Sequence, residues 1–147
     1  MCLNEFEPED EIITTPFSFV ATTSSIVWSK LKPVFCDIDK DFLFMDVDLI
    51  RRLITPRTKA VLTTHVFGNT GNIDGLEAIC KEKNIRLIFD AAHAFGVKYK
   101  GKSILEYGDM SILSFHATKL YHTIEGGAIY CNDKIFMKKM KAIRNFG

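Results

Sequence analysis

The chain has 147 residues and a net charge of +1, and 47% of its residues are hydrophobic while 25% are charged. This length suits one domain with a hydrophobic core, and the composition is ordinary for a soluble globular protein. The balanced charge gives no basis for binding nucleic acid or an anionic membrane. No apolar run approaches the roughly 18 residues of a membrane span. Because the acidic N-terminus has no apolar signal core, we expect a cytoplasmic protein.

Strands and helices are predicted to alternate along the chain. Short apolar runs predict strands at residues 12–15, 33–36, 59–64, 85–89, 110–115 and 126–131. Helices are predicted at residues 21–30, 46–54 and 73–83, and a last helix from a cap at Asn132 or Asp133 to about Arg144. In this last helix we expect Phe136, Met140 and Ile143 to face inward. A hairpin-like turn is expected around Lys100 and Gly101.

This alternation predicts an α/β fold with a mostly parallel sheet flanked by helices, because parallel strands need crossover connections. The run at residues 85–89 is continuously apolar, as in strands covered on both faces. No repeat, low-complexity tract or linker divides the sequence, so we expect a single domain.

Neither the cysteines nor the histidines have the spacing of a metal site. The scattered cysteines indicate reduced thiols and not a disulfide framework; they are Cys2, Cys36, Cys80 and Cys131. The histidines are His65, His93, His116 and His122. We therefore expect no bound metal.

Polar side chains follow three of the predicted strands. They are His65 after the first of these strands, Asp90 and His93 after the second, and Ser114, His116 and Lys119 after the third. In open α/β sheets, ligands bind beyond the carboxyl ends of the strands. We therefore expect these side chains to converge at one site.

Lys119 and Asp90 carry the chemical interpretation. A lysine just past a buried strand is partly desolvated, which lowers the pKa of its amine and favours attack on a carbonyl carbon. The alternative is a lysine in a surface loop. Asp90 alone reads as a helix cap or a loop-binding residue. Together, the two residues match pyridoxal phosphate, which needs a Schiff-base lysine and an acid partner for its pyridine nitrogen.

Four stretches together resemble the DegT/StrS-type (DegT/DnrJ) sugar aminotransferases. They are TPFSFVATTS at 15–24, FDAAHAFG at 89–96, SFHATK at 114–119 and EGGAI at 125–129. The resemblance runs from about Glu9 to the last residue. It implies the aspartate-aminotransferase fold (fold type I), pyridoxal 5'-phosphate as cofactor, and transfer of an amino group from an amino-acid donor to a nucleotide-linked keto-sugar in amino-sugar biosynthesis.

The resemblance also implies roles for five residues. Lys119 looks like the Schiff-base lysine, and Asp90 looks like the partner of the pyridine nitrogen. His93 falls near the position of the cofactor's ring hydroxyl, with a structural loop histidine as the alternative. Phe19 matches an aromatic residue that stacks on the cofactor ring, with a core phenylalanine as the alternative. Ser114 matches a serine that helps to hold the cofactor phosphate, with a backbone-bonded strand serine as the alternative.

Some other positions match the family pattern and some differ from it. Lys119 favours transamination, because some relatives that are sugar 3-dehydratases have histidine there. Leu120 stands where many relatives have Asn, and Glu9 replaces the Gly of a usual Gly-Asp-Glu turn. His65 and His116 match recurrent family positions, and we assign them no chemical step.

The family further implies a longer protein that works as a homodimer. Its members begin with a segment that binds the cofactor phosphate and end with a smaller domain. We expect both to be absent, so that residues 1–147 form one incomplete large domain. Exposed sheet edges and helix faces then predict self-association or poor solubility. Two alternatives stay open: a catalytically incompetent fragment or interaction module, and a fold-related sugar dehydratase or lyase.

Overall fold

A computed structural model describes residues 6–145 and contains, within them, eight strands and four α-helices. The strands are β1 (Glu11–Thr14), β2 (Lys32–Phe35), β3 (Thr58–Thr64), β4 (Arg86–Asp90), β5 (Lys98–Tyr99), β6 (Lys102–Ser103), β7 (Met110–Ser114) and β8 (Gly127–Cys131). The helices are α1 (Val20–Trp28), α2 (Val47–Leu53), α3 (Ile73–Lys83) and α4 (Lys134–Arg144). Cys2, one of the four cysteines predicted to be reduced thiols, lies outside the described residues.

Six strands form one sheet in the order β2-β1-β3-β4-β7-β8. The first five are parallel to their neighbours, and β8 runs antiparallel to β7. The short strands β5 and β6 form a separate hairpin around Lys100 and Gly101, as predicted. The prediction of a mostly parallel sheet flanked by helices is therefore confirmed. The parallel strands all end at one edge of the sheet, which is called the carboxyl edge below.

Side chains of the sheet alternate between two apolar clusters, one on each face. In β4, Leu87 and Phe89 join the larger cluster, and Ile88 between them joins the smaller one. Helices α2 and α3 cover the larger cluster with Ile50, Leu76, Ile79 and Cys80. Helix α1 covers the smaller cluster with Ile26. The central strands β1, β3 and β4 are thus largely buried, and their ends are held in fixed positions.

Polar side chains set the beginning of three helices. The carboxylate of Asp46 accepts hydrogen bonds from the first turn of α2, and the amide oxygen of Asn72 does so for α3. Asp133 caps α4, which confirms one of the two predicted caps. Helix α3 ends at Lys83 and is followed by the capping residue Asn84, whose φ of 53° lies in the left-handed region that asparagine tolerates.

The predicted inward face of α4 is wrong at Ile143. Phe136 packs against the smaller cluster, but no residue of α4 is buried and Ile143 is 58% exposed. The helix packs chiefly against β8, the edge strand of the sheet. Ile143 lies about 10 Å farther along the helix than Phe136. The apolar spacing therefore extends beyond the surface that the sheet offers.

Within residues 6–145, no helix combines the length and apolar character that crossing a membrane demands. The same residues contain no cluster of three or more potential metal ligands among His, Cys, Asp and Glu. The described cysteines are free thiols; they are Cys36, Cys80 and Cys131.

Candidate active site

The carboxyl edge of the sheet places three of the predicted polar residues at neighbouring strand ends. Asp90 is the last residue of β4, and its register partners are Thr64 in β3 and Ile112 in β7. His65 directly follows Thr64, and Ser114 lies two residues beyond Ile112. The ends of β3, β4 and β7 are therefore neighbours in the sheet.

The carboxylate of Asp90 is fixed by two donors. Its Oδ2 accepts a hydrogen bond of 2.8 Å from the hydroxyl of Thr22, in the first turn of α1. Its Oδ1 accepts one of 3.1 Å from the backbone N–H of Ala92. A carboxylate offers about four lone-pair positions, so Asp90 keeps capacity for a further donor.

A chain of hydroxyl groups extends from Thr22 away from Asp90. The Oγ of Ser18 lies 2.6 Å from the hydroxyl of Thr22 and 2.9 Å from that of Thr64. None of these three residues was predicted as a site residue from the sequence. A signal was available, because Ser18 and Thr22 are four residues apart in a hydroxyl-rich stretch that continues into a helix.

Lys119 lies in the closed loop that connects β7 to β8. The N–H of Phe115 donates to Gly126 at 2.8 Å, and the N–H of Thr123 donates to Phe115 at 3.0 Å, which closes the base of the loop. The backbone N–H of Lys119 donates to His116 at 2.9 Å. The side chain of Lys119 is half-buried, and within residues 6–145 its amine has no hydrogen bond or ion pair. The amine is therefore available to a ligand.

An aromatic cluster joins the lysine loop to the loop that follows β4. The rings of Phe95 and Tyr121 stack with centroids 4.3 Å apart and 12° between their planes. Phe115 presents its ring edge-on to both of them, at 6.2 and 5.4 Å. Tyr121 is two residues past Lys119, so these contacts restrain the loop beside the lysine.

The imidazole of His93 is oriented by its contact with Phe67. The backbone N–H of Phe67 donates to Nδ1 of His93 at 3.4 Å, and the two rings lie parallel within 17°. Since Nδ1 acts as an acceptor, the neutral ring carries its hydrogen on Nε2. His93 is exposed and can donate from that atom.

Phe19 and Ser114 border the same edge. Phe19 occupies the N-cap position of α1 with its side chain 76% exposed, so the alternative of a core phenylalanine is wrong. Ser114 is half-buried, and its hydroxyl accepts a hydrogen bond of 3.4 Å from the backbone N–H of His116. The imidazole of His116 contacts the hydroxyl of Thr118 at 2.9 Å and lies 3.7 Å from the carboxylate of Glu125.

His65 is a packed residue of the core. Its imidazole is 0% exposed, and its Nδ1 lies 2.9 Å from the carbonyl oxygen of Asn69. Burial lowers the pKa of His65 to about 4, although the Asn69 carbonyl and the Asp90 carboxylate oppose this shift. The ring is therefore neutral at pH 7, and His65 supports the strand end that carries the site.

The residues present at this edge fit pyridoxal phosphate. A pyridine ring that bears a carbonyl carbon needs a flat apolar contact, an acceptor for its ring N–H and a primary amine. The exposed ring of Phe19, the spare lone pairs of Asp90 and the unpaired amine of Lys119 supply these three groups.

The amino-acid sequence matches one protein family over its whole length. Residues 1–147 match the DegT/DnrJ/EryC1/StrS aminotransferase family. The curated relatives include the dTDP-4-amino-4,6-dideoxy-D-glucose transaminase of Shigella dysenteriae. This relative is 49% identical over 137 residues, which are 93% of this chain and 37% of the relative.

Solved structures share the fold. The structure of DesI, determined in the presence of its TDP-sugar product, has a TM-score of 0.92 and 37% identity. The match covers 99% of this chain and 38% of DesI. The structure of NtdA from Bacillus subtilis, with bound cofactor PMP, has a TM-score of 0.90 and 27% identity. That match covers 96% of this chain and 32% of NtdA. The chain thus spans less than two fifths of each of these proteins.

Proposed function

This chain belongs to the DegT/DnrJ/EryC1/StrS aminotransferase family, and we propose that it contributes the cofactor-binding centre of a sugar aminotransferase. The enzyme moves an amino group from an amino-acid donor to a nucleotide-linked keto-sugar in amino-sugar biosynthesis. The observation that carries the proposal is that neighbouring strands present Asp90, fixed with spare lone pairs, at the end of β4 and Lys119, whose amine is unpaired, in the loop after β7.

The relatives support the substrate class and the cofactor. The Shigella dysenteriae relative is a transaminase for a dTDP-linked amino sugar, and the DesI structure was determined with a TDP-sugar product. NtdA was solved with bound PMP, which is a form of the proposed cofactor. We therefore propose pyridoxal 5'-phosphate as the cofactor and a nucleotide sugar as the substrate.

Each residue at the edge has a separate task toward the cofactor. Pyridoxal phosphate, when bound, supplies a ring that takes up the electron pair left by loss of a proton from the substrate's α-carbon. Asp90 would accept the N–H of the pyridine ring, and Phe19 would cover one ring face. His93 would donate from Nε2 to the ring hydroxyl, and Ser114 would bind the phosphate. Lys119 would hold the cofactor through a bond from Nζ to the carbonyl carbon, whose oxygen leaves as water, and its amine would accept the proton from the α-carbon after the donor's amine displaces it.

The exposed surface and the free thiols support a proposal on assembly and compartment. We propose that the protein acts as a homodimer in the cytoplasm, and that the described residues form part of its large domain. Exposed apolar side chains near the site, such as Phe19, Phe67 and Leu120, support a partner surface. The free thiols among residues 6–145 support a reducing compartment.

The half-reaction with an amino donor tests the proposed function. The full chain is mixed with pyridoxal phosphate, and glutamate is then added as donor. We expect a visible absorbance band that glutamate removes, with release of up to one 2-oxo acid per bound cofactor. Lys119→Ala should abolish both signals, whereas Lys98→Ala, at an exposed lysine of β5, should leave them unchanged. Formation of 2-oxo acid that does not depend on Lys119 would contradict the proposal.

A further inference from the structure

We propose that the hydroxyl of Thr22 positions Asp90 for the cofactor, as the last member of a directed chain of hydroxyl groups. This inference rests on the proposed function of Asp90 as the acceptor for the pyridine nitrogen. The chain consists of Thr64, Ser18 and Thr22, joined by contacts of 2.9 and 2.6 Å and connected to Asp90 at 2.8 Å.

The direction of the chain follows from the number of hydrogens. An ionised carboxylate only accepts, so Thr22 gives its single hydroxyl hydrogen to Asp90. The contact between Ser18 and Thr22 then requires Ser18 to donate, and the contact between Ser18 and Thr64 requires Thr64 to donate. Every hydroxyl hydrogen therefore points toward Asp90. Hydrogen bonds aligned in this way polarise one another.

The chain joins four separate segments of the fold. Thr64 ends β3, Ser18 lies between β1 and α1, Thr22 belongs to α1, and Asp90 ends β4. Thr22 and Thr64 are buried, so water does not compete freely for their hydroxyls. The network therefore fixes the position of α1 relative to the end of β4.

Thr22 also controls the orientation of the carboxylate plane. The Ala92 N–H fixes only Oδ1, and Thr22 fixes Oδ2, so both oxygens are held. Without the Thr22 hydroxyl, the carboxylate can rotate about its bond to Cβ. Ser18, which supports Thr22, immediately precedes Phe19 in the sequence. The same series of hydroxyl groups thus connects Asp90, proposed to bind the pyridine N–H of the cofactor, with Phe19, proposed to cover a face of the same ring.

A set of threonine variants separates positioning from structural support. Thr22→Val keeps the shape of the side chain and removes the hydroxyl, whereas Thr22→Ser keeps the hydroxyl. Thr23→Val, at the next residue of α1, is the control for placing valine in this helix. The dissociation constant of pyridoxal phosphate is measured by fluorescence titration of the full chain, and the free energy of unfolding is measured in urea.

We expect Thr22→Val to weaken cofactor binding about tenfold, since a hydrogen bond to a charged group typically contributes this much or more. Thr22→Ser and Thr23→Val should remain within about twofold of the wild type. The amino-donor half-reaction should slow in Thr22→Val with little change in donor KM, because Thr22 acts through Asp90 and not on the donor. Wild-type affinity in Thr22→Val would overturn the inference, and so would a loss of affinity in Thr22→Ser as large as that in Thr22→Val.

Variants of the other two hydroxyl residues test the direction of the hydrogen bonds toward Asp90. Ser18→Ala removes the donor to Thr22, and Thr64→Val removes the donor to Ser18. The loss of cofactor affinity should decrease in the order Thr22→Val, Ser18→Ala, Thr64→Val, although Thr64 is more buried than Ser18. If these residues had only a structural role, the loss of cofactor affinity would follow burial and would be larger for Thr64→Val than for Ser18→Ala. That order would overturn the inference. Ser18→Ala also keeps the test decisive if Thr22→Val fails to fold. If the wild type itself does not bind pyridoxal phosphate, the proposed function fails first and the inference fails with it.

Discussion

The imidazole of His65 lies against the ring of Phe44, with centroids 5.3 Å apart and 18° between the ring planes. Phe89 contacts His65 as well, at 4.7 Å. Within residues 6–145, Nε2 of His65 has no hydrogen-bond partner. The backbone N–H of His65 donates to the carbonyl of Asp90 at 3.0 Å. A neutral, buried histidine therefore supports the residue on which the proposed chemistry depends.

This packing predicts a loss of stability in acid. Burial lowers the pKa of His65 to about 4 in the folded chain, while the unfolded chain titrates near 6.5. The unfolded state therefore binds the proton first as the pH falls. The contribution of His65 is fully present above pH 6.5 and is lost between about pH 6.5 and pH 4, with a total of about 3 kcal/mol.

Unfolding in urea at a series of pH values measures this contribution. His65→Leu should flatten the pH dependence between pH 6.5 and pH 4, because the titrating group is removed. His122→Leu, at an exposed histidine, is the control and should leave the slope unchanged. Equal slopes for the wild type and His65→Leu would show that His65 does not control the acid response.

Gly71 predicts a second effect on stability. Its φ is +52°, and an added Cβ would overlap the ring of Phe44. We expect Gly71→Ala to lower the free energy of unfolding by at least about 2 kcal/mol, since overpacking adds to backbone strain. Gly101→Ala is the matched control, because Gly101 also has a positive φ but no neighbour within 4 Å of an added Cβ. Equal losses for the two variants would refute the role of Phe44.

The outer part of the sheet predicts self-association. Ile112 in β7 and Ile129 in β8 are register partners and are 39% and 46% exposed. Within the described residues, β8 is also an edge strand. Paired apolar side chains beside an open edge favour contacts between molecules. Sedimentation velocity at micromolar concentration should show species larger than the monomer.

Ile129→Lys should shift this equilibrium toward the monomer, because it places a charge on the apolar patch. Asn132→Lys adds the same charge just past the end of β8 without removing an apolar group. The second variant should associate like the wild type. A wild-type chain that sediments as a clean monomer contradicts the prediction.

Apolar periodicity was enough to predict most of the fold. The helix predicted at residues 73–83 has these bounds in the structure, and its apolar residues form a buried face. The error at Ile143 has a different origin. Periodicity shows which side of a helix is apolar, but it does not show whether the sheet extends far enough to cover that side.

The candidate site was predictable only in part. The sequence predicts that Asp90 lies at a strand end. The predicted parallel order of the strands then places this end at the carboxyl edge of the sheet. The partners of its carboxylate do not follow, because Ser18, Thr22 and Thr64 come from segments whose relative placement depends on packing. The exposure of Phe19 also depends on which elements cover it. The roles of the five site residues remain predictions; they are Phe19, Asp90, His93, Ser114 and Lys119.

Covalent trapping tests the central claim that Lys119 is the reactive amine. The full chain is incubated with pyridoxal phosphate, reduced with sodium borohydride, digested, and mapped by mass spectrometry. We expect a pyridoxyl group on Lys119, its loss in Lys119→Arg, and its retention in Lys98→Arg. A label on another lysine, or labelling that persists in Lys119→Arg, would contradict the account.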